Sequence, residues 1–319
     1  MIRYQYPIFI VIFLLCRVTA SVFGQESNFD WSPHNLKWHG TLNGEFKAGE
    51  ARQVSQAGVT LPLFQNDHSM LFTDLRVRED DHHNEEANLG LAFRTLVNSD
   101  WILGAYGFFD RLTTQSGNDF DGATIGVELM SELWDFRVNG HLTETDVRDA
   151  GPVGLQPGRR FVEAAYEGID YELGRLLLRF GNCSELRGYV GGFHYQNDDN
   201  RFADISGPRG RLELRLFDVS LLGEGSRVTF TGEILHDDVR ETDMFGGVQI
   251  QIPLGGTRPG SLNPFGASGC YQNLTSLERR MQMPIRRDVD VLPKKQMGPV
   301  PPANAAQPQD NVVVFPEDL

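Results

Sequence analysis

The stretch Trp134–Leu142, WDFRVNGHL, decides the fold of this chain. Its apolar residues and its glycine occupy every second position, and charged or polar residues occupy the positions between them. Successive side chains of a β-strand point to opposite faces, whereas a helix would scatter both sets around its axis. The stretch is therefore predicted to be a strand with one apolar face and one polar face.

The same alternation recurs between residues 39 and 255, and clusters of Asn, Asp and Gly separate the runs as turn residues do. Most runs have the ~9–11 residues of a tilted transmembrane strand. An even number of antiparallel strands returns the chain to the side where it began. The predicted strands are 39–48, 53–64, 69–78, 86–97, 101–111, 121–131, 133–143, 162–176, 185–196, 208–217, 226–237 and 242–254.

Two kinds of closed β-sheet fit this alternation. In a soluble sandwich or barrel the apolar face points inward, and in an outer-membrane barrel it points outward to lipid. The runs exceed the ~5–6 residues of average strands, and aromatic residues such as Trp101 and Trp134 lie near run ends. The charges of Arg211, Glu213 and Arg215 on one face suit a wet lumen better than a dry core. We predict an all-β fold, an antiparallel transmembrane β-barrel of about twelve strands.

The first 24 residues are predicted to be a secretory signal peptide. Arg3 precedes the apolar run 8–15, and small residues suited to cleavage follow it. A transmembrane helix needs about 20 apolar residues, and Arg17 ends this run well before that length. Any membrane crossing by the rest of the chain must therefore use strands.

The composition narrows the function classes. The chain has 319 residues with 34 Gly and 21 Phe, a composition that argues for a folded domain. Its formal net charge of −14 argues against a duplex-DNA binder, which needs a basic surface. Cys183 and Cys270, the cysteines beyond the signal peptide, form no metal motif, and the sequence leaves their pairing open. No glycine-rich phosphate loop follows a strand. We expect no cofactor and no nucleic-acid partner.

Three polar groups could carry chemistry, and each has a simpler explanation. Residues 80–86, DDHHNEE, offer metal ligands but lie between two predicted strands, which favours a solvated hairpin loop. Residues 197–200, NDDN, lack the spaced carboxylates of a calcium loop and are predicted to form a turn. His141 and His194 lie on strands, but no serine has the setting of a nucleophile. We predict no metal site and no enzyme activity.

A set of short segments occurs in a characteristic order along the chain. These segments are GVTLPLF (58–64), LFTDLR (71–76), ANLGLAFR (87–94), WILGAYGFFD (101–110), TIGVEL (124–129), LWDFRVNGHL (133–142), AYEGIDYELG (165–174), LERR (277–280) and PIRRDVD (284–290). In order and spacing they resemble the inverse autotransporter β-domain, the outer-membrane barrel of intimin- and invasin-type adhesins. The resemblance covers about residues 36–292.

The resemblance implies a twelve-stranded outer-membrane barrel that needs periplasmic chaperones and the barrel-assembly machinery. It also implies that the segment after the last strand threads the lumen and carries a passenger outside the cell. Here the residues after 292 are few and rich in proline, so we expect an extended tail without a folded passenger. The membrane barrel is therefore carried over from the family, and adhesion is not.

Twelve strands enclose more space than inner side chains fill, so the lumen must hold water or protein. The expected division is signal peptide 1–24, N-terminal linker 25–35, barrel 36–256, lumen-threading linker 257–292 and Pro-rich tail 293–319. The expected lumen-facing residues are Glu128, Asp135, Arg137, Asn139, His141, Arg211, Glu213, Arg215, Thr229, Glu233, Gln249 and Gln251. The basic residues of the threading segment, expected to pair with lumenal carboxylates such as Glu128, Asp135, Glu213 and Glu233, are Arg279, Arg280, Arg286 and Arg287.

We predict an outer-membrane barrel of inverse-autotransporter type that acts as membrane anchor or translocation pore for its short C-terminal segment. Three alternatives stay open. A general diffusion porin would have an unobstructed lumen, an exported soluble β-protein would need no detergent, and a barrel hydrolase would react with a serine-directed probe. Outer-membrane lipid is an expected partner, and the sequence leaves the oligomeric state open.

Overall fold

The computed structural model describes residues 37–50, 52–152, 159–181, 183–219, 221–237, 241–254, 274–287 and 294–299. The strands are β1 (Thr41–Gly49), β2 (Gln53–Gln65), β3 (Ser69–Asp80), β4 (Glu85–Val97), β5 (Trp101–Thr113), β6 (Asp119–Ser131), β7 (Trp134–Thr143), β8 (Arg148–Pro152), β9 (Arg159–Ala164), β10 (Glu167–Phe180), β11 (Ser184–Gln196), β12 (Ile205–Phe217), β13 (Arg227–Asp237), β14 (Glu241–Pro253) and β15 (Lys294–Pro299). A short helix, α1 (Ser276–Arg280), follows β14. Within the described residues, no helix combines the length and the apolar character that spanning a membrane requires.

Twelve of these strands form one closed antiparallel barrel. Their order around the barrel is β1-β14-β13-β12-β11-β10-β7-β6-β5-β4-β3-β2. The pairing of β1 with β14, from Thr41 opposite Pro253 to Gly49 opposite Phe245, closes the sheet. Closure leaves no unpaired barrel edge, as a sheet surrounded by hydrocarbon requires. The predicted fold is thereby confirmed.

The strand prediction is wrong at 162–176. There the chain ends β9 at Ala164, breaks at Ala165 and Tyr166, and begins β10 at Glu167. Residues 162–166 are all buried, so apolar and polar side chains follow one another without the alternation that marks a half-buried strand. The hairpin β8–β9 was consequently not predicted. It forms a second sheet of order β15-β9-β8, in which the segment after the barrel supplies β15.

Apolar side chains cover the outside of the barrel, and charged side chains fill its inside. On β7, the side chain of Val138 is 49% exposed, whereas its neighbour Asn139 is 0% exposed. Leu89, Val127 and Leu212 on other strands are equally exposed. This distribution is the reverse of a soluble barrel and gives the outer wall the surface that lipid requires.

The two ends of the barrel differ in their connections. At one end, called the turn end, β1 begins and β14 ends, and short turns join β2 to β3, β4 to β5 and β6 to β7. At the other end, called the loop end, the connection 144–166 carries β8 and β9. The chain therefore enters and leaves the barrel wall on the same side.

Candidate functional site

The inner face of the barrel is the candidate site, because it gathers nearly all the buried charges. The structure places the expected lumen-facing residues on this face, where they are buried or nearly so: Glu128, Asp135, Arg137, Asn139, His141, Arg211, Glu213, Arg215, Thr229, Glu233, Gln249 and Gln251. Alternation along each strand and the antiparallel register bring these side chains beside one another on neighbouring strands.

One group of buried ion pairs joins β4, β6, β7 and β10. The Nε of Arg94 donates to Glu128 at 2.5 Å. Arg137 lies 3.5 Å from Glu128 and 3.1 Å from Glu172. A buried charge is tolerated only when opposite charges and hydrogen bonds replace its hydration, so each member of this group depends on the others.

A second group surrounds Asp135 near the turn end. Arg187 donates to Asp135 at 3.2 Å and to Glu185 at 2.9 Å. The hydroxyl of Tyr189 donates to Asp135 at 2.9 Å, and Arg215 donates to Glu185 at 3.1 Å. Asp135 thus accepts from two donors of β11, and Glu185 accepts from one donor of β11 and one of β12.

A third group lies on β1, β10, β12 and β13. Arg211 bonds to Glu213 on its own strand and donates to Glu172 at 3.1 Å. The Nζ of Lys47 lies 3.5 Å from Glu233. Together the three groups extend the charge network around most of the inner wall.

His141 belongs to a hydrogen-bonded chain near the loop end. Its Nε2 lies 2.7 Å from a carboxylate oxygen of Asp170, and its Nδ1 lies 3.3 Å from the hydroxyl of Thr124. That hydroxyl donates to Asp110 at 2.7 Å, so its proton is already committed to a carboxylate. The arrangement therefore holds the wall together and does not prepare a nucleophile. His194 lies on the exposed outer side of β11.

Residues 274–287, called here the plug segment, occupy the interior of the barrel. At the turn end, α1 begins with a capping box in which Thr275 and Glu278 bond to each other's backbone. The indole nitrogen of Trp38 donates to the carbonyl of Glu278 at 3.0 Å, and Lys37 lies 2.6 Å from the Glu278 carboxylate. These contacts fix the start of the plug segment to the residues that precede β1.

The middle of the plug segment is held by apolar packing and by a buried arginine. Leu277, Met281 and Ile285 join an apolar cluster with Trp38, which precedes β1, and with the wall residues Met70, Phe72, Ala92, Ile102, Tyr106, Phe108 and Met130. Arg280 bonds to Asp135 and to the backbone carbonyl of Ser131. The plug segment thus contributes both an apolar stripe and a charge that complements the wall.

Wall arginines also hold the plug segment by its backbone. The Nη1 of Arg94 donates to the carbonyls of Met281 at 2.7 Å and Met283 at 2.5 Å. Arg76 donates to the carbonyl of Ile285 at 2.9 Å. These bonds use groups that every peptide chain possesses, so they require an extended chain but no particular side chain.

The plug segment ends near the loop end. Arg286 donates to Glu45 at 3.0 Å and lies 3.5 Å from Glu213. Arg287 donates to Asp110, close to the end of β5, at 2.7 Å. Its guanidinium carbon lies 4.0 Å from the ring centre of Phe108. The segment therefore crosses the interior from one end of the barrel to the other.

Two inner positions must be glycine for these aromatic rings to lie against the wall. A Cβ on Gly90 would collide with the ring of Phe108, and a Cβ on Gly126 would collide with the ring of Tyr106. The hydroxyl of Tyr106 then donates to Asn139 at 2.5 Å. The flat rings leave the centre of the barrel free for the plug segment.

The four basic residues predicted for the threading segment do not behave alike. Arg280 and Arg286 approach Asp135 and Glu213, two of the carboxylates named from the sequence. Arg279 instead lies with its guanidinium carbon 5.7 Å from the ring centre of Phe217. The other two carboxylates named from the sequence, Glu128 and Glu233, pair with Arg94 and Lys47 of the barrel wall.

Sequence reasoning missed the residues that hold the plug segment most directly. Glu45 and Asp110 accept from its arginines, and Arg76 and Arg94 donate to its carbonyls. Alternation alone did not single out any of these four residues. It gave no signal for which of these polar residues faces the plug segment.

The segment β15 continues the chain beyond the barrel at the loop end. It pairs antiparallel with β9, from Lys294 opposite Ala164 to Pro299 opposite Arg159. Because β9 belongs to the long connection 144–166, this pairing lies outside the barrel interior. The chain thus enters the barrel at the turn end and is held again at the loop end.

The remaining polar groups lie in connections. A carboxylate oxygen of Asp80 accepts from the backbone nitrogens of His82 and Asn84, both at 2.9 Å, which closes the turn between β3 and β4. In the connection 197–204, hydrogen bonds from Arg201 lower the pKa of Asp199.

Cys183, between β10 and β11, is disulfide-bonded, and its partner lies outside the described residues.

The fold and its contents define a transmembrane β-barrel plugged by its own chain. The family profile of the inverse autotransporter β-domain matches residues 23–205. The chain belongs to this family, a class of outer-membrane barrels and not of enzymes. The predicted family, outer-membrane location and barrel type are confirmed.

Comparison with solved structures supports the fold. A structure from a study of in-meso crystallization of membrane proteins is 16% identical, with a TM-score of 0.58, and the match covers 81% of this chain and 100% of that chain. An outer-membrane channel from Pseudomonas putida F1 is 10% identical, with a TM-score of 0.50, and the match covers 70% of this chain and 100% of the channel. None of the curated proteins matches the chain.

The membrane location orients the barrel. Bacterial outer-membrane barrels have short periplasmic turns and longer extracellular loops. The turn end is therefore periplasmic, and the loop end, with β8, β9 and β15, is extracellular.

Proposed function

We propose that the barrel is a closed anchor that holds its own C-terminal segment across the outer membrane and displays the end of the chain at the cell surface. One observation carries this proposal. The plug segment runs from Trp38 at the periplasmic end to Asp110 near the extracellular end, and β15 pairs with β9 beyond it. The proposal keeps the division of the chain expected from the sequence: signal peptide 1–24, N-terminal linker 25–35, barrel 36–256, lumen-threading linker 257–292 and Pro-rich tail 293–319.

The hydrogen bonds to the plug backbone support a role in passing a chain through the barrel. Arg76 and Arg94 donate to carbonyl groups, which any extended segment offers at regular intervals. A wall of this kind can hold successive parts of a chain during export and keep the last of them as the plug. Assembly of the barrel would need the periplasmic chaperones and the barrel-assembly machinery. In this proposal the lumen has no catalytic role.

The porin alternative requires a water-filled path. Here the described plug segment buries Leu277, Met281 and Ile285 among apolar wall residues. Burial of such side chains stabilises the plugged state by roughly 1.5–3 kcal/mol each. Spontaneous opening of the lumen would have to expose all of them, so the geometry favours the closed anchor over the diffusion pore.

Surface labelling of a tail cysteine tests the proposal. The variant Gln307→Cys is expected to react with a membrane-impermeant maleimide on intact cells, because the chain leaves the barrel at the extracellular end. The matched control is Leu133→Cys, in the periplasmic turn between β6 and β7, where residue 133 is 55% exposed. The control should react only after the outer membrane is permeabilised. Labelling of the tail only after permeabilisation would refute display at the surface.

Glu278 should make the periplasmic end of the plug sensitive to acid. Burial opposes its ionisation, but hydrogen bonds from Lys37 and Thr275 prevail and lower its pKa below 4.5. A lowered folded-state pKa contributes stability above pH 4.5, and this contribution is lost as the pH falls through the folded value. Glu278→Gln should therefore lower the temperature of the heat-induced mobility shift in SDS gels at pH 7. The deficit should shrink as the pH falls through the lowered pKa of Glu278, and a deficit that stays the same at every pH would contradict the assignment.

A further inference from the structure

A groove crosses the outer face of the barrel on strands β10 to β14. It has a volume of about 700 Å³. Its floor includes outward-facing glycines on three successive strands, Gly188, Gly210 and Gly232. Exposed apolar side chains such as Val190 and Ile234 form its walls. Since glycine has no side chain, the floor lies below the surface that the neighbouring side chains define.

The groove follows the direction of the backbone hydrogen bonds between strands. Arg175 on β10 lies opposite Trp134 on one side and Gly188 on the other. Gly188 lies opposite Leu212, which lies opposite Gly232 on β13. Barrel strands tilt by ~35–45°, so a line perpendicular to them climbs through the membrane.

The length of this line suits a single acyl chain. Three inter-strand spacings separate β10 from β13, a distance of about 14 Å. Half of the hydrocarbon core of a bilayer is about 15 Å thick. Because strands tilted by ~35–45° incline this line, it rises about 8–10 Å through the leaflet, and it begins at the periplasmic side, where Trp134 follows the turn between β6 and β7.

Arg175 gives this end of the groove a positive charge. Its side chain is exposed on the outer face, and its guanidinium carbon lies 5.0 Å from the ring centre of Trp134. No carboxylate of the described residues forms an ion pair with it. Trp and Arg at the edge of a membrane-spanning surface lie at the depth of the lipid headgroups. A guanidinium there presents paired donors that fit a phosphate.

We propose that this groove binds one phospholipid of the periplasmic leaflet, with an acyl chain along the glycines and the phosphate on Arg175. Gly188 and Gly232 leave room for the acyl chain on either side of Leu212, and the arginine provides the charge that a phosphate diester complements. A second copy of this barrel would bring mainly apolar side chains to the groove and would leave Arg175 without an anion.

Native mass spectrometry of the full-length protein, delipidated in detergent, tests the head-group contact. The probes are dioleoyl phosphatidylglycerol and dioleoylglycerol, which share both chains and differ in the phosphate. One phosphatidylglycerol per barrel should bind more tightly than dioleoylglycerol. Arg175→Gln should weaken phosphatidylglycerol binding about tenfold and leave dioleoylglycerol binding unchanged. Equal affinities for the two lipids in the unaltered protein would overturn the role of Arg175.

A matched pair of leucine substitutions tests the groove itself. A Cβ on Gly232 or on Gly44 meets no other atom within 4 Å, so both positions accept a larger side chain. Gly44 lies on the outer face of β1, away from the groove. Gly232→Leu should abolish the tight phosphatidylglycerol site, and Gly44→Leu should retain it, while both keep the heat-induced mobility shift. Equal retention by both variants, or lipid-free dimers that Gly232→Leu abolishes, would overturn the proposal.

Discussion

Arg94→Met is expected to destabilise the folded barrel by about 3–5 kcal/mol, the cost of breaking a buried ion pair by removing one partner. The substitution leaves Glu128 without its 2.5 Å hydrogen bond and removes the Nη1 group that donates to the carbonyls of both Met281 and Met283. The plug segment loses its central attachment at the same time. The variant should therefore unfold at lower urea concentration in detergent and should open more often in conductance recordings.

The control for this substitution is Arg111→Met at the extracellular end of β5. Arg111 lies 2.6 Å from Asp119, but both side chains are largely exposed. An exposed pair contributes about 0–1 kcal/mol, so this variant should unfold almost like the unaltered protein. Losses of equal size in the two variants would contradict the view that the interior network holds the barrel and the plug together.

Val138→Arg is expected to impair assembly, with a cost of about 2–4 kcal/mol near the middle of the membrane. Val138 lies on the outer face of β7 and is 49% exposed, so the new charge would face acyl chains. The fraction of protein that shows heat-dependent mobility in SDS gels measures folding, and urea titration in lipid vesicles measures stability.

Leu133→Arg is the matched comparison for the outer face. Residue 133 lies in the periplasmic turn next to β7, where an arginine reaches water and costs about 0–1 kcal/mol. The two variants carry the same new side chain and differ in depth. If both assembled equally well, the outward assignment of the apolar face would be wrong.

Strand alternation predicted the barrel because each strand has a different environment on its two sides. Near Trp134–Leu142 one side meets lipid and the other meets a polar lumen, so the sequence has to alternate. The same logic failed at 162–166, where every side chain is buried in the packing of the extracellular connection. Alternation disappears wherever both sides of a strand are covered.

The contents of the lumen could be predicted only in part. The polar face implied charges inside, and the resemblance to inverse autotransporters implied a chain among them. Which arginine meets which carboxylate depends on the register across several strands, such as β4, β5 and β6 between Arg94 and Glu128. Arg279 shows the limit of such reasoning, because its guanidinium lies against the ring of Phe217, a contact that alternation does not predict.

Single-channel recording of the full-length protein in planar bilayers tests the closed lumen most directly. We expect a membrane that stays closed at low voltage with the unaltered protein, and openings that become frequent with Arg94→Met. A steady ohmic conductance from the unaltered protein, unchanged in Arg94→Met, would show that the plug segment does not fill the barrel and would contradict the closed anchor.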